Sequence, residues 1–265
     1  MIDLHCHILP GVDDGPATLE EAVEMCRMAA SDGIDTIVAT PHFASCVIEW
    51  TEEDRAGWIE RLVAELRKQG IAMRIAPGAE VAIFPELPAL LRTGPLLTIN
   101  KNGRYLLAEF PFDSAPPNWD SFLLKVLESG TVPIITHPER NIWFLRHPEA
   151  ITRIVELGGM VQITAMSVTG GLGDEARKFS AFLLKQNLVH VIATDAHSSV
   201  MRPPHLSEAV KAASDLVGAE RARALVTSIP AAILEGRAVC LPGPLERPRD
   251  RDSWFRKVFR LTARN

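Results

Sequence analysis

The chain has 265 residues, of which 47% are hydrophobic and 23% charged, and its formal net charge is −5 at pH 7. This length fits one large α/β domain with a substantial core, and the acidic balance argues against general binding to nucleic acid. The N-terminus lacks a basic and apolar leader, and no apolar run approaches about 18 residues, so we expect neither a signal peptide nor a transmembrane segment. The four cysteines form no C-x-x-C pair, which favours a cytoplasmic protein with reduced thiols.

Seven short apolar runs are predicted to form strands, and helical segments separate them. The strand candidates are 2–5, 36–40, 74–76, 105–109, 132–136, 160–163 and 189–194. A helix is expected from Thr18, with Glu21 completing a capping box, to about Ser31, and another from Thr51 to about Gln69. Further helices are expected at 119–129, 149–157, 174–186, 206–216 and 219–227. The alternation of strands and helices predicts parallel βαβ units.

Right-handed crossovers could close these strands into a barrel or wind them into an open sheet. Polar residues follow almost every strand instead of clustering at one crevice, which favours a barrel. A doubly wound sheet usually carries a Gly-x-Gly-x-x-Gly phosphate loop, and the sequence has none. We therefore predict a single α/β barrel domain over residues 1–241.

Residues 242–265 are predicted to form a separate basic tail. Pro242, Pro244 and Pro248 indicate a linker, and residues 246–265 hold seven Arg or Lys and three Asp or Glu. Apolar residues recur at roughly helical spacing near the end. One interpretation is a short helix docked on the barrel, or a partly ordered end. The other is an amphipathic surface for an acidic partner or for membrane lipid.

Side chains that can bind metals lie at the ends of several predicted strands. Residues two apart in a strand point the same way, so the paired residues of the His-x-His and Asp-x-His motifs converge. The candidate ligands are His5, His7, Asp14, His42, Glu80, Glu109, His137, Asp195 and His197. A mixed nitrogen and oxygen set suits Mn, Fe, Zn or Co better than Mg or Ca. Nine ligands exceed what one ion takes, so we predict two or three ions with a bridging carboxylate.

Several neighbours of the candidate ligands have expected supporting roles. Asp3 is expected to stabilise the site from behind a ligating histidine. Asp13 and Asp14 are adjacent, so one of the two side chains is expected to point away. Cys6 is expected to point to the opposite face of its strand. His190 is expected to be a structural histidine in the core or on a face of its strand.

Two arginines are candidates for binding a phosphate group. Arg140 follows His137, and Arg202 lies in the loop after His197. Arginine suits bidentate contact with phosphate, although each of these residues could instead form a surface salt bridge.

Six motifs in chain order resemble a known family. They are Ile-Asp-Leu-His-Cys-His-Ile-Leu-Pro-Gly-Val-Asp-Asp-Gly-Pro at 2–16, Pro-His at 41–42, Gly-Ala-Glu at 78–80, Leu-Ala-Glu-Phe at 107–110, His-Pro-Glu-Arg at 137–140 and Ala-Thr-Asp-Ala-His at 193–197. Together they resemble the bacterial PHP-type (polymerase and histidinol phosphatase) protein-tyrosine phosphatases. These are the CpsB/YwqE-like enzymes of capsule and exopolysaccharide systems. The similarity extends from residue 2 to about residue 235.

The resemblance implies a distorted (β/α)7 TIM-like barrel with a three-metal site, usually assigned manganese. It also implies hydrolysis of phosphotyrosine on a partner tyrosine autokinase, which regulates capsule or exopolysaccharide synthesis. All nine candidate ligands correspond to the family's ligands, with Asp14 rather than Asp13. Arg140 and Arg202 correspond to phosphate-binding positions. The tail beyond Pro242 inherits no function from the resemblance.

The mechanism we expect uses the metals to lower the pKa of a bridging water, and the hydroxide then attacks phosphorus in line with the leaving phenolate. Cysteine-dependent phosphatases need an arginine six residues after the cysteine. Here the residues at that spacing are Val12, Asp32, Glu52 and Glu246, so this route is excluded.

Three other functions remain open on the sequence alone. The nearest is a PHP-type phosphatase of a small molecule such as histidinol phosphate. An amidohydrolase-type barrel also opens with His-x-His but usually needs a modified lysine, where this chain has Glu80 and Glu109. The third is a regulatory module that binds phosphotyrosine or a kinase without turnover.

Overall fold

The computed structural model describes residues 1–43, 50–239 and 243–244. Cys46, Cys240 and nearly all of the predicted tail lie outside the described residues. The boundary at residue 241 and the nature of the tail therefore remain predictions.

Nine parallel strands form within the described part of the chain. They are β1 (Ile2–Cys6), β2 (Thr36–Ala39), β3 (His42–Phe43), β4 (Arg74–Pro77), β5 (Glu80–Ala82), β6 (Tyr105–Glu109), β7 (Val132–Ile135), β8 (Met160–Thr164) and β9 (Val191–Ala193). All seven predicted strands are present. The two further strands, β3 and β5, each resume a predicted strand after a short break.

The break before β5 contains Gly78, where the chain passes close to side chains at the end of β2. A Cβ atom on Gly78 would lie 2.6 Å from Val38 Cγ1, so only glycine lets the chain pass there. Beyond the break, Glu80 pairs with His42 of β3, and the Glu80 N–H donates to Pro41 O at 3.1 Å. The interruption thus brings the first residues of β3 and β5 side by side.

The strands form two hydrogen-bonded parallel sheets, of three and six strands, that together make one curled layer. Their orders are β1-β2-β4 and β3-β5-β6-β7-β8-β9. The chain beyond β9 returns to β1, where Asp195 N–H donates to His5 O at 2.8 Å and His7 N–H to Ala196 O at 2.9 Å. The prediction of a parallel α/β fold is confirmed, whereas closure into a seven-stranded barrel stays a prediction.

Helices connect the strands. They are α1 (Leu19–Ser31), α2 (Glu52–Lys68), α3 (Leu87–Leu91), α4 (Trp119–Glu128), α5 (Ile142–Arg146), α6 (Glu149–Glu156), α7 (Ala165–Thr169), α8 (Asp174–Lys185), α9 (Ser207–Val217), α10 (Ala219–Ala224) and α11 (Ser228–Leu234). Short 3₁₀ turns occupy Ile99–Lys101 and Pro138–Arg140. The seven predicted helices are present, and the sequence pattern did not predict α3, α5, α7 or α11. These four have five to seven residues, too few to show a helical period.

The helices α1 and α2 begin directly after their predicted capping residues, with one correction. Thr18 Oγ1 accepts from Glu21 N–H at 3.3 Å, but the Glu21 carboxylate accepts from Ala17 N–H and not from Thr18. The predicted capping box at α1 is therefore only half formed. A complete box begins α2, where Thr51 and Asp54 each accept from the other's backbone N–H.

The strands are covered on both faces, as their continuous apolar runs indicated. All four residues of β2 and all three of β9 are buried. In the residues that the structure describes, no helix is both long and apolar enough to cross a membrane.

Candidate metal centre

The fold brings all nine candidate ligands to one end of the curled layer. Parallel strands share the direction of their carboxyl ends, so residues at or just after those ends meet at one edge. His5 lies in β1, His42 and Glu80 begin β3 and β5, and Glu109 ends β6. The other candidates lie in the connections that follow β1, β7 and β9.

A buried carboxylate, Glu80, lies at the centre of the cluster. Its Oε2 atom is 3.2 Å from His5 Nε2 and 3.3 Å from both His7 Nε2 and His42 Nδ1. Its Oε1 atom is 2.8 Å from His137 Nε2. Only 1% of Glu80 is exposed. One carboxylate thus contacts four imidazoles, which is the position expected of a bridging ligand.

Three sets of side chains in the described ranges place their ligand atoms within 4.8 Å of one another. These sets are His7, Asp14, His42 and His197; His5, His7, Glu80 and Asp195; and His42, Glu80 and Glu109. They share members, so they form one continuous constellation. The mixed nitrogen and oxygen donors fit transition-metal ions. The residues present therefore fit a polynuclear metal site.

His137 and the two arginines adjoin these sets. His137 Nε2 lies 3.7 Å from Glu109 Oε1, in addition to its contact with Glu80. The guanidinium groups of Arg140 and Arg202 both donate to Oδ2 of Asp195. The arginines thus meet at the cluster instead of forming surface salt bridges.

The expectation that either Asp13 or Asp14 points away is wrong. Asp13 Oδ2 is 2.7 Å from His7 Nδ1 and accepts from His42 N–H at 3.1 Å. Asp14 Oδ1 is 3.3 Å from His197 Nε2 and 3.4 Å from His42 Nε2. Asp13 therefore orients the His7 ring, while Asp14 lies among the potential ligand atoms.

Asp3 supports the site through the backbone and not through an imidazole. Its carboxylate accepts from Thr194 N–H at 3.0 Å, from the Thr194 hydroxyl and from His5 N–H at 3.3 Å. The His5 ring is held by Gln162, whose Oε1 lies 2.9 Å from His5 Nδ1. The only sequence signal for this role is that Gln162 is a polar residue inside the apolar run of β8.

Two further residues anchor the short strands. Trp50 Nε1–H donates to His42 O at 3.0 Å. Arg55 donates to Gly78 O and Leu96 O, each at 2.9 Å, and its guanidinium lies 5.3 Å from the centre of the Trp50 ring. Both side chains are buried. Trp50 thus holds the segment that carries His42. Arg55 holds the segment that carries Glu80, which lies two residues after Gly78.

Buried imidazoles and carboxylates of the cluster shift each other's pKa in opposite directions. Burial by itself would lower the pKa of His7, but hydrogen bonds to Asp13 and Glu80 raise it to about 10. Burial would raise the pKa of Asp195, but the charges of His5 and neighbouring cationic groups lower it to about 2. Carboxylates packed this closely need positive counter-charge, which divalent cations would supply in place of the imidazolium protons.

Two of the candidate ligands have unusual backbone conformations. His137 has φ of 31° and Asp195 has φ of 51°, in the left-handed region that non-glycine residues rarely adopt. Such conformations cost free energy and are concentrated at functional sites. They direct the side chains that follow β7 and β9 toward the cluster.

Comparisons with known proteins point to a single family. The family model described as capsular polysaccharide synthesis, CpsB/CapC, matches residues 1–235. Tyrosine-protein phosphatase YwqE of Bacillus subtilis (strain 168) is 36% identical over 220 residues, covering 83% of this chain and 86% of the relative. The putative tyrosine-protein phosphatase CapC of Staphylococcus aureus is 35% identical over 205 residues, covering 77% of this chain and 79% of the relative.

A solved structure of the same kind of protein is also similar to this chain. It comes from work on YwqE from Bacillus subtilis and CpsB from Streptococcus pneumoniae, described as metal-dependent tyrosine phosphatases. The TM-score is 0.87 at 34% identity, and the match covers 93% of this chain and 100% of that one. The chain belongs to the CpsB/CapC family of capsular polysaccharide synthesis proteins.

Proposed function

We propose that the protein is a metal-dependent protein-tyrosine phosphatase. The observation that carries the proposal is the position of Glu80, within 3.3 Å of nitrogen atoms of His5, His7 and His42. The tyrosine phosphatases among its relatives support the choice of reaction.

The nine candidate ligands would hold two or three ions, with Mn²⁺ the first choice and Fe, Zn or Co as alternatives. When bound, such ions supply Lewis-acid charge that polarises phosphoryl oxygens and lowers the pKa of a nearby water. We further propose that the curled layer closes into the (β/α)7 barrel of the PHP superfamily. That arrangement would keep every ligand at the same end of the barrel.

Arg140 and Arg202 would bind and orient the phosphoryl group. Both guanidinium groups already converge on Asp195, so their donors are close enough to contact one small anion. In phosphoryl transfer, charge spreads over the equatorial oxygens, and fixed guanidinium donors stabilise that charge. The tyrosyl group leaves as a phenolate whose conjugate acid has a pKa of about 10, so a general acid matters less than for an alkyl phosphate.

The substrate we propose is phosphotyrosine on a partner protein, specifically a bacterial tyrosine autokinase. Membership of a capsule-synthesis family supports that choice. The cytoplasmic location that would accompany such a partner is part of the same proposal.

The test compares a phosphotyrosine peptide with histidinol phosphate after EDTA treatment and Mn²⁺ add-back. We expect Mn²⁺ to restore phosphate release from the peptide and little from histidinol phosphate. Arg140→Ala should lower kcat/KM for the peptide by roughly 100-fold, the scale of losing one charge-stabilising donor. Arg146→Ala, which removes an exposed arginine from α5, is the matched control.

Preference for histidinol phosphate would contradict the proposed substrate and move the protein into small-molecule metabolism. A metal-loaded protein that hydrolyses neither compound would instead favour a binding module.

A further inference from the structure

Exposed large hydrophobic side chains are concentrated beside the candidate metal centre. In the residues that the structure describes, four such side chains are exposed: Phe112 (63%), Leu124 (41%), Val200 (79%) and Met201 (77%). A single exposed hydrophobic residue is ordinary. Here, however, three of the four lie in the loops that follow β6 and β9, the strands whose ends carry Glu109 and Asp195.

The loop that carries Val200 and Met201 is held closed by its own hydrogen bonds. His197 N–H donates to Arg202 O at 3.0 Å, which joins the two ends of the loop. Ser198 Oγ accepts from Met201 N–H at 3.0 Å and from Arg202 N–H at 3.2 Å. A well-bonded loop therefore presents two apolar side chains to solvent immediately before Arg202.

Phe112 lies on a loop that is fixed to the segment after Arg140. The Asn141 side-chain amide donates to Pro111 O at 2.6 Å, and Ile142 N–H donates to Phe112 O at 3.0 Å. Each arginine of the converging pair thus has an exposed apolar residue nearby. Phe112 lies on the loop bonded to the residues directly after Arg140, and Val200 and Met201 directly precede Arg202 in the chain.

We propose that Phe112, Val200 and Met201 form a docking surface for large apolar side chains on either side of phosphotyrosine in a protein substrate. The inference rests on the proposed phosphatase activity. With the phosphate on Arg140 and Arg202, the length of the tyrosine side chain leaves the peptide backbone at the rim. Apolar contact there removes hydrophobic surface from water and adds binding energy that a small phosphate ester cannot obtain.

The test measures kcat/KM for two phosphotyrosine peptides that differ only in their flanking residues, leucine in one and serine in the other. We expect the Mn²⁺-loaded protein to prefer the leucine-flanked peptide by about tenfold, the effect of burying part of one or two apolar side chains. Two variants test the loops, the double variant Val200→Ser/Met201→Ser and the single variant Phe112→Ser. Each should lose most of that preference. Phenyl phosphate, which has no flanks, should be hydrolysed by these variants at the parental rate.

Leu124→Ser is the matched control because Leu124 is exposed on α4, and it should leave both peptides unaffected. The inference is overturned if the loop variants keep the full preference for leucine flanks. It is also overturned if they lose phenyl phosphate hydrolysis to the same extent, since the loops would then act by placing the arginines. A parent protein that hydrolyses neither phosphotyrosine peptides nor phenyl phosphate would refute the phosphatase proposal itself, and the docking surface with it.

A lipid surface is the competing occupant of exposed apolar loops. Flotation with vesicles of phosphatidylcholine and phosphatidylglycerol separates the two. Vesicle binding that the serine variants abolish, with unchanged selectivity between the peptides, would assign the loops to a membrane and overturn the proposal.

Discussion

The indole N–H of Trp50 donates a hydrogen bond to the backbone carbonyl of His42 over 3.0 Å. The same ring packs against Arg55, which binds the carbonyl of Gly78 just before β5. Two neighbouring side chains thus hold the short strands that carry His42 and Glu80. Since β3 has only two residues, its own ladder offers little to fix the His42 imidazole.

Trp50→Phe should therefore weaken metal binding more than it weakens the fold. The variant keeps an aromatic ring beside Arg55 but loses the hydrogen bond, worth about 0.5–1.5 kcal/mol, so we expect about 2- to 10-fold weaker binding. Calorimetric titration of the EDTA-treated protein with Mn²⁺ measures this. Trp58→Phe in α2 is the control, and equal Mn²⁺ affinity in the two variants would show that Trp50 acts only in packing.

Gln162 is expected to fix the tautomer of His5. Its Oε1 faces His5 Nδ1 at 2.9 Å, which leaves Nε2 toward Glu80 as the ligand atom. Gln162→Leu should lower Mn²⁺ affinity by about 10- to 100-fold, as for other partners of ligating histidines. Gln162→Glu keeps an acceptor oxygen and should retain most of the affinity, whereas a loss as large as in the leucine variant would argue against this role.

Cys6 is expected to be dispensable for catalysis. Its side chain is fully buried, Sγ lies 3.8 Å from Ala196 O, and burial raises the pKa of the thiol well above its usual value. A buried neutral thiol is a poor nucleophile. Cys6→Ser should keep most of the Mn²⁺-dependent activity, while His42→Ala or Asp195→Ala should abolish it. An inactive Cys6→Ser protein with intact metal content would contradict this.

The sequence predicted most of the candidate site because the ligands follow strands that are visible as apolar runs. His-x-His at the end of β1 could be placed without any tertiary contact, since strand geometry sets its direction. Asp-x-His follows β9, so its place after a strand was predictable, whereas the left-handed backbone of Asp195 was not. β3 and β5 were missed because runs of two or three residues carry no period.

The supporting contacts were less predictable because they join distant parts of the chain. Gln162 and His5 are 157 residues apart, and nothing local in β8 specifies its partner. The roles of Asp13 and Asp14 depend on how the loop after β1 turns, which pattern alone does not determine. The sequence predicts that both arginines lie near the ligands, but their shared contact with Asp195 is visible only in the folded chain.

His190 should make the fold sensitive to acid. It is 6% exposed, and its Nδ1 accepts from Val161 N–H at 3.2 Å, which requires the neutral ring. Burial, with a smaller contribution from Arg221, lowers its pKa to about 4. The unfolded chain takes up a proton near pH 6.5 and the folded protein does not, so stability is lost as pH falls from about 6.5 toward 4.

At pH 5 the free energy of unfolding is expected to be about 2 kcal/mol lower than at neutral pH because of this one group. Urea unfolding of the EDTA-treated protein at pH 7.5 and pH 5 measures this loss. The protein is tested without metal so that release of metal ions from protonated ligands does not contribute to the difference. His190→Gln should lower stability at pH 7.5 and reduce the difference between the two pH values by about that amount. His147→Gln, at an exposed site, should leave the difference unchanged. If His190→Gln also leaves it unchanged, the acid sensitivity belongs to the clustered carboxylates and imidazoles and not to the core histidine.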